Sequence, residues 1–415
     1  MQMRRKVYLA AGTYTVSLGT GRKEFHPRKP RPGIEHYMQE AGRAVISKIP
    51  DVNVIDECVV GNFMAARFNR QGNLASLMPT IDPALVYKPC TRVEGACGSG
   101  GLSIFTGIKS ILAETADVVL SLGVEVQNTV KAIYGADVLA GAGHYASQRK
   151  NGHAYFFPSM FSDRAGAAFE KFGHEKVRRA MTQWYVNAVE GARRCPEAQE
   201  YHNTVEDLHA IGNTPPNPKV FVDHLNFSDC SKVSDGAAAL LVLSEEGLKK
   251  TAIAAKDAVE VVGFGTSVAD LTKQPEDPTQ ADTSQSAVGK AYEMAGIHAK
   301  DLAFAEVHDC FSITGILMAE ATGICGHGEG YDFISEGRTK LDGDLPMNLS
   351  GGLIGHGHYT GGTGVRETVD SWKQLTGRAG DFQVKVPSDR PYGLMISMGG
   401  NDKTVVTLVM QQAGS

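Results

Sequence analysis

The chain reads as an α/β protein in which one motif is written twice and the first copy carries a long insertion. Three observations support this. Helix-period segments alternate with apolar, strand-like runs along nearly all 415 residues, as layered α/β folds require. Two distant stretches share one order: helix, strand, a glycine-punctuated segment opening a second helix, then another strand. The closing step, a strand turning into its neighbour, is immediate in the second copy and delayed by about 110 residues in the first.

The opening MQMRRKVYLAAG has too short an apolar stretch for a signal peptide and reads as the first strand. HYMQEAGRAVISKI has helical spacing, and VNVIDECVVGN follows as a strand. EGACGSGGLSIFTGIKSIL places Leu102, Phe105, Ile108 and Leu112 on one helical face before the strand ADVVLSLG (116–123). The second copy repeats the series as QSAVGKAYEMAGI, LAFAEVHDC, GGTGVRETVDSWKQL and YGLMISMGG (392–400). Its second helix puts Val365, Val369, Trp372 and Leu375 on one face. There GGND leads at once into KTVVTLVM (403–410), a hairpin signal.

In the first copy the matching strand is AAALLVLS (237–244), so the hairpin turn has been expanded into a domain. Lengthening a loop adds little closure entropy. The expected division is residues 1–123 with 236–255 as an N-terminal half, 124–235 as a loop domain, and 256–415 as a C-terminal half. The loop domain has aromatics at 155, 156, 157, 161, 169 and 172, and Val177, Met181, Trp184 and Ala188 on one helical stripe. These can close a small core, and they can also wall a long ligand.

A net charge of −5 with no polybasic face argues against nucleic acid as partner. No run approaches eighteen apolar residues, so no membrane span is expected. Seven cysteines without metal spacing point to reduced thiols in the cytoplasm. The basic run GRKEFHPRKPRP (21–32) is broken by three prolines and reads as a solvated loop; a phosphate- or subunit-contacting loop is the alternative.

Cys97 lies in EGACGSGG, just before an amphipathic helix. A thiol there faces free backbone N–H groups and the positive end of the helix dipole, which favour thiolate. The equivalent helix start in the second copy is NLSGGLIGHGHYTGGTG (348–364), with His356 and His358. Of these two histidines, one is expected to face the site. The strand end EVHDC adds His308 and Cys310, again two apart, with Asp309 turned away. Pseudo-symmetry brings these groups together at the junction of the halves. A nucleophilic thiol, two imidazoles and a second thiol suit thioester exchange coupled to making or breaking a carbon–carbon bond. No third ligand stands near the histidine pair at metal spacing.

These residues carry a family resemblance over nearly the whole chain. EGACGSGG resembles the nucleophile segment of thiolases. NLSGGLIGHGHYTGGTG resembles their Asn-x-x-Gly-Gly-x-Ile-x-x-Gly-His-Pro segment, and SDGAAALLVLSEEG resembles the strand that re-enters after their loop domain. HDCF at 308–311 and FFPSMF at 156–161 are similar to the sterol-carrier-protein-type subgroup. The resemblance implies a duplicated thiolase-type fold, two α-β-α halves in five layers plus the loop domain. Most thiolases place an acid/base cysteine where this chain has ISMGGND, with Ser397 or Met398 at the position. Neither can act as a thiolate, and the HDCF subgroup implies that Cys310 takes the task.

The implied roles are Cys97 as nucleophile, His358 as its base, and His308 with His358 as an oxyanion site. The N–H of Cys97 with that of Gly399 or Gly400 is the second oxyanion site. Phe157, Met160 and Tyr359 are expected in the CoA/acyl pocket; Tyr359 replaces the proline of the Gly-His-Pro motif. CoA and acyl-CoA are substrates, and neither metal nor cofactor is expected in this chain. The resemblance further implies a homodimer. It also allows a small zinc-ribbon/OB-fold partner subunit, as in two-subunit thiolases such as benzoylsuccinyl-CoA thiolase, and a specialised, bulky or polar 3-oxoacyl-CoA. The alternatives are a biosynthetic acetoacetyl-CoA or ketoacyl-synthase-like condensing enzyme and a non-catalytic acyl-CoA-binding protein.

Overall fold

The computed structural model describes residues 3, 5–149 and 154–414, so residues 1, 2 and 4 of the opening basic segment lie outside it. Nine strands form one sheet in the order β3-β2-β4-β5-β1-β6-β9-β8-β7. The first half supplies β1 (Tyr8–Tyr14), β2 (Glu57–Gly61), β3 (Cys90–Val93), β4 (Val118–Glu125) and β5 (Gly236–Leu243). The second supplies β6 (Ala258–Val268), β7 (Leu302–Val307), β8 (Tyr392–Gly399) and β9 (Thr404–Gln412).

The duplication is visible in the pairing. β2 runs parallel to β4 as β7 runs parallel to β8, and β4 lies antiparallel to β5 as β8 does to β9. The halves join where Tyr8–Ala10 of β1 pairs with Ala258–Glu260 of β6. Strand β6 was not expected from the sequence: AVEVVGFGTSV mixes buried and half-buried positions around two glycines. The stretch VNVIDECVVGN forms only a short strand, because Val52–Val54 is a 3-10 turn capped by Asp51.

Helix α1 (Ile34–Ile46) covers one outer face. Helices α2 (Ser99–Leu112) and α7 (Thr363–Leu375) lie between the two halves of the sheet. Their cores separate cleanly. Ile104, Ile108, Val365, Val369 and Trp372 pack with Val119 and Val242 in the central layer, whereas Val118 and Leu120 face α1 on the other side. Strand β4 is therefore covered on both faces, which explains its continuous apolar run.

Glycines let the two central helices meet at their starts. A Cβ on Gly100 would stand 2.9 Å from the backbone nitrogens of both Gly364 and Val365. That contact brings the segment bearing Cys97 beside the segment bearing His358.

The loop domain leaves β4 at Glu125 and returns at Gly236, as an expanded hairpin turn does. It contains α3 (Phe156–Phe172) and α4 (His174–Ala192). These pack on α6 (Ser312–Ala321), which is buried throughout, and share one apolar core with α5 (Asp282–Ala295). No helix of the described residues is long and apolar enough to cross a membrane.

Candidate active site

The site forms where the ends of β4, β7 and β8 meet the starts of α2 and α7. Cys97 stands on a tight turn in which Ala96 adopts φ 53°, a left-handed conformation that costs a residue bearing a side chain. Ser99 pins this turn: its Oγ accepts from the Gly95 N–H at 3.0 Å and donates to the Ala96 carbonyl at 2.6 Å. Gly399 must lack a side chain, because its Cβ would lie 1.9 Å from the Gly95 carbonyl oxygen. The next residue, Gly400, directs its N–H at the Cys97 sulfur, as does Cys97's own N–H. Of the two candidate glycines, Gly400 is thus the donor that reaches the nucleophile, and Gly399 allows the close approach.

The helix start does not make Cys97 a resting thiolate, contrary to the sequence expectation. Burial and then the charge of Glu125 push the thiol up to about 12, outweighing the two N–H groups. Deprotonation therefore needs a base close by.

His358 is placed to be that base. Its ring Nδ1 lies 2.8 Å from Thr363 Oγ1, and that hydroxyl in turn donates to the Tyr359 carbonyl at 3.2 Å. This network assigns the proton to Nδ1 and leaves Nε2 with a lone pair and no hydrogen-bond partner among the described residues. Burial, helped by the charge of Arg366, lowers the imidazole to about 3 and keeps it neutral. Its backbone is fixed by the returning loop domain: the His358 N–H donates to the Lys232 carbonyl at 3.0 Å and to Ser234 Oγ at 3.0 Å.

His308 meets His358 edge to face at 5.2 Å between ring centroids. It is buried and held well below the usual imidazole range by burial, His358 and Arg366, and neither ring nitrogen has a hydrogen-bond partner among the described residues. Cys97 Sγ and one ring nitrogen each of His308 and His358 lie within 4.8 Å of one another. Three such donors are the number that a catalytic zinc site takes from protein, whereas a structural zinc site takes four.

Cys310 opens onto the same cavity as Cys97. Burial and then the neighbouring Cys97 hold its thiol well above its ordinary value, and Thr314 Oγ1 lies 3.8 Å away.

The cavity holds about 780 Å³. Cys97, Cys310, His358 and Gly400 form its floor, with Phe157 and Phe161 of α3 in its wall. Two expected pocket residues are elsewhere. Tyr359 is fully buried in the central core, where its ring fills the space left by Gly236 and Gly362. Met160 is instead taken up by the small cluster with Ala140 and Phe156, against which Phe157 also packs.

His356 and Asp309 prove to be scaffold. His356 Nδ1 contacts Ser17 Oγ at 3.0 Å, pointing away from the site. Asp309 accepts from Trp184 Nε1 at 2.8 Å and from the Leu353 N–H at 2.7 Å, tying α4 to the glycine-rich loop. Glu125 escaped the sequence reading, although a charged residue closing the apolar run VVLSLGVE was a signal. Its buried carboxylate accepts from Asn62 Nδ2 and Thr360 Oγ1, both at 3.0 Å, and from the N–H groups of Phe63, Met64 and Gly361 at 2.9–3.1 Å. It thereby locks the turn after His358 to the end of β4.

Known proteins resemble the chain along most of its length. Residues 33–205 match the family described as "Thiolase, N-terminal domain", and residues 265–412 match "Thiolase C-terminal domain-like". An acetyl-CoA acetyltransferase of Methanothermobacter thermautotrophicus is 32% identical over 86% of this chain and 89% of its own length. The benzoylsuccinyl-CoA thiolase subunit BbsB of Thauera aromatica is 26% identical over 93% of both chains. Among solved structures, an Ltp2-ChsH2(DUF35) aldolase superposes with a TM-score of 0.78 at 19% identity, covering 98% of both chains. Human mitochondrial 3-ketoacyl-CoA thiolase in complex with CoA gives 0.70 at 19% over the full length of both.

Proposed function

Since the chain belongs to the thiolase family, an acyltransferase family, we propose that it cleaves a 3-oxoacyl-CoA with CoA, or runs the reverse condensation, through an acyl-Cys97 intermediate. The observation that supports this best is the convergence of Cys97, His308 and His358 within 4.8 Å, on a cavity that Cys310 also faces.

In cleavage, His358 Nε2 takes the Cys97 proton and the sulfur attacks the 3-oxo carbon. The resulting oxyanion lies toward the N–H groups of Cys97 and Gly400. Its collapse breaks the C2–C3 bond and leaves acyl-Cys97 and the enolate of the departing acyl-CoA, which is acetyl-CoA where C2 is unsubstituted; the enolate oxygen is held by His308 and His358. The Cys310 thiol delivers its proton to C2, which suits a group that burial keeps protonated. CoA then gives its thiol proton to Cys310 and attacks the acyl-cysteine; acyl-CoA leaves, and the Cys97 thiolate recovers its proton from His358.

The aromatic wall and the cavity volume support a bulky acyl group, and benzoylsuccinyl-CoA is the specialised candidate. Tyr359 no longer supports this reading, because it does not reach the cavity. A homodimer fits β3, a free sheet edge that runs directly into the nucleophile turn. A small zinc-containing partner subunit remains part of the proposal, tested by co-purification with metal analysis.

The deciding experiment is thiolysis of a series of 3-oxoacyl-CoA thioesters, from acetoacetyl-CoA to arylated ones, followed by thioester absorbance. Activity lost in Cys97→Ala, and acetyl-CoA methyl deuteration lost in Cys310→Ala, are the expected results. Full activity in folded Cys310→Ala removes the second-thiol role, and no cleavage of any thioester removes the thiolase reaction.

A further inference from the structure

We propose that Arg164 is a positioning residue for this reaction: through Asn401 it fixes the turn that aims the Gly400 N–H at Cys97. The inference rests on the reading of Cys97 as nucleophile and goes beyond it, because it couples the loop domain to the oxyanion site.

Arg164 is 2% exposed, on the helix α3 that lines the cavity. Its Nε donates to Asn401 Oδ1 at 2.6 Å, and one terminal nitrogen donates to the carbonyls of Pro278 and Gln280 at 2.7 and 2.8 Å. One guanidinium thus binds both the turn after β8 and the loop before α5.

The rest of the turn is gripped from the other side. The Asp402 carboxylate accepts from the Thr283 N–H at 2.9 Å, the Ser284 N–H at 3.1 Å and Ser284 Oγ at 2.7 Å. Lys403 Nζ donates to the carbonyls of Asp270 and Lys273 at 3.0 and 2.9 Å. Gly400 and Asp402 both have positive φ, 69° and 56°. A residue bearing a side chain is strained in this left-handed region, so such a turn persists only where its surroundings impose it. Residues 401, 402 and 403 are each held by side-chain bonds, while the Gly400 N–H is turned to the Cys97 sulfur.

Arg164 follows Phe161 by three residues and Phe157 by seven, so all three share one face of α3. Both rings line the cavity. The helix that an acyl group packs against is therefore the helix that holds the oxyanion donor. Removing the guanidinium strands the Asn401 amide oxygen and two carbonyls in a buried place, and the turn must relax to rehydrate them.

The test compares Arg164→Ala, Asn401→Ala and Asn401→Asp with the wild type. The readouts are thermal unfolding, kcat and KM for thiolysis, and the pH profile of Cys97 alkylation by iodoacetamide, read on the Cys97 peptide. Misaiming one oxyanion donor lowers kcat by about 10²-fold, with KM within about threefold of wild type. Both alanine variants should show this loss together with a Cys97 alkylation profile displaced to higher pH, because the thiolate has lost a donor. Asn401→Asp keeps an acceptor for Arg164 and should retain the wild-type profile.

A folded Arg164→Ala with wild-type kcat and alkylation profile overturns the proposal. If that variant does not fold, Asn401→Ala decides on the same terms, since it leaves the two carbonyl bonds of Arg164 intact. The alkylation profile needs no acyl substrate. A displaced profile in a chain that cleaves no thioester therefore keeps the positioning role and overturns only the thiolase reaction.

Discussion

The two halves carry equivalent helix starts that have taken different work. Before α2 the turn is short and strained, and it offers a sulfur with backbone N–H groups around it. Before α7 the segment is long and glycine-rich, and it offers an imidazole whose tautomer is fixed by Thr363. The hairpins differ as well: β8 passes to β9 through a four-residue turn, whereas β4 reaches β5 only after the whole loop domain. The asymmetry shows how a duplicated scaffold becomes a single site. The short hairpin turn delivers Gly400, and the expanded one returns Lys232–Ser234 to hold His358 and sends α3 over the cavity.

The sharpest way to break this division of labour is at the histidines. His358→Ala removes the base and should lower kcat for thiolysis by about 10²–10⁴-fold, the usual worth of a positioned general base. His356→Gln, two residues away and turned toward Ser17, should lower thermal stability and leave kcat within a few-fold of wild type. Equal kinetic losses in both variants would mean that the two side chains do not face opposite ways.

The contact between the helix starts is tested next. Gly100→Ala drives a methyl group against the Gly364 and Val365 backbone, which cannot move aside as a flexible side chain would. An overpacking cost of about 1–3 kcal/mol is expected, read by denaturant unfolding. An alteration of comparable size at Gly72, where a Cβ meets nothing within 4 Å, should cost far less. A similar loss at both positions would dissociate the helix contact from stability.

Asp309 supplies a pH-dependent test, because burial raises its carboxyl to about 7. The unfolded chain releases that proton near the ordinary value of about 4. Between those values the native state binds more protons than the unfolded one, so this group makes stability fall as pH rises from about 4 to about 7. Asp309→Asn removes the titration. Wild type should therefore lose thermal stability relative to the variant across that interval, with a constant difference above it. A gap that widens in the opposite direction would place the carboxylate in a stabilising charge pair instead.

Much of this was legible in the sequence because periodicity and order are local properties. The repeated helix–strand–glycine–helix–strand series identified α2, α7, β4, β5, β8 and β9, and strand alternation turned Asp309 away from His308 and Cys310. His356 and His358 diverge for a different reason, because Gly352–His356 is a helical turn and Gly357 takes φ 120°, so the segment is not extended. Cys97, His308, Cys310 and His358 were all named from such local signals. What the tertiary structure alone decided depends on packing between distant segments. Tyr359 looked like a pocket residue until the backbone of Gly236 and Gly362 was seen to receive its ring in the core. Glu125 and Arg164 were ordinary charged residues in the string, and only the fold surrounds them with the donors and acceptors that lock the site. The charge states follow the same rule. A helix start promised a thiolate at Cys97, yet burial and the nearby Glu125 carboxylate outweigh it, because desolvation is set by everything packed around a group rather than by its neighbours in the chain.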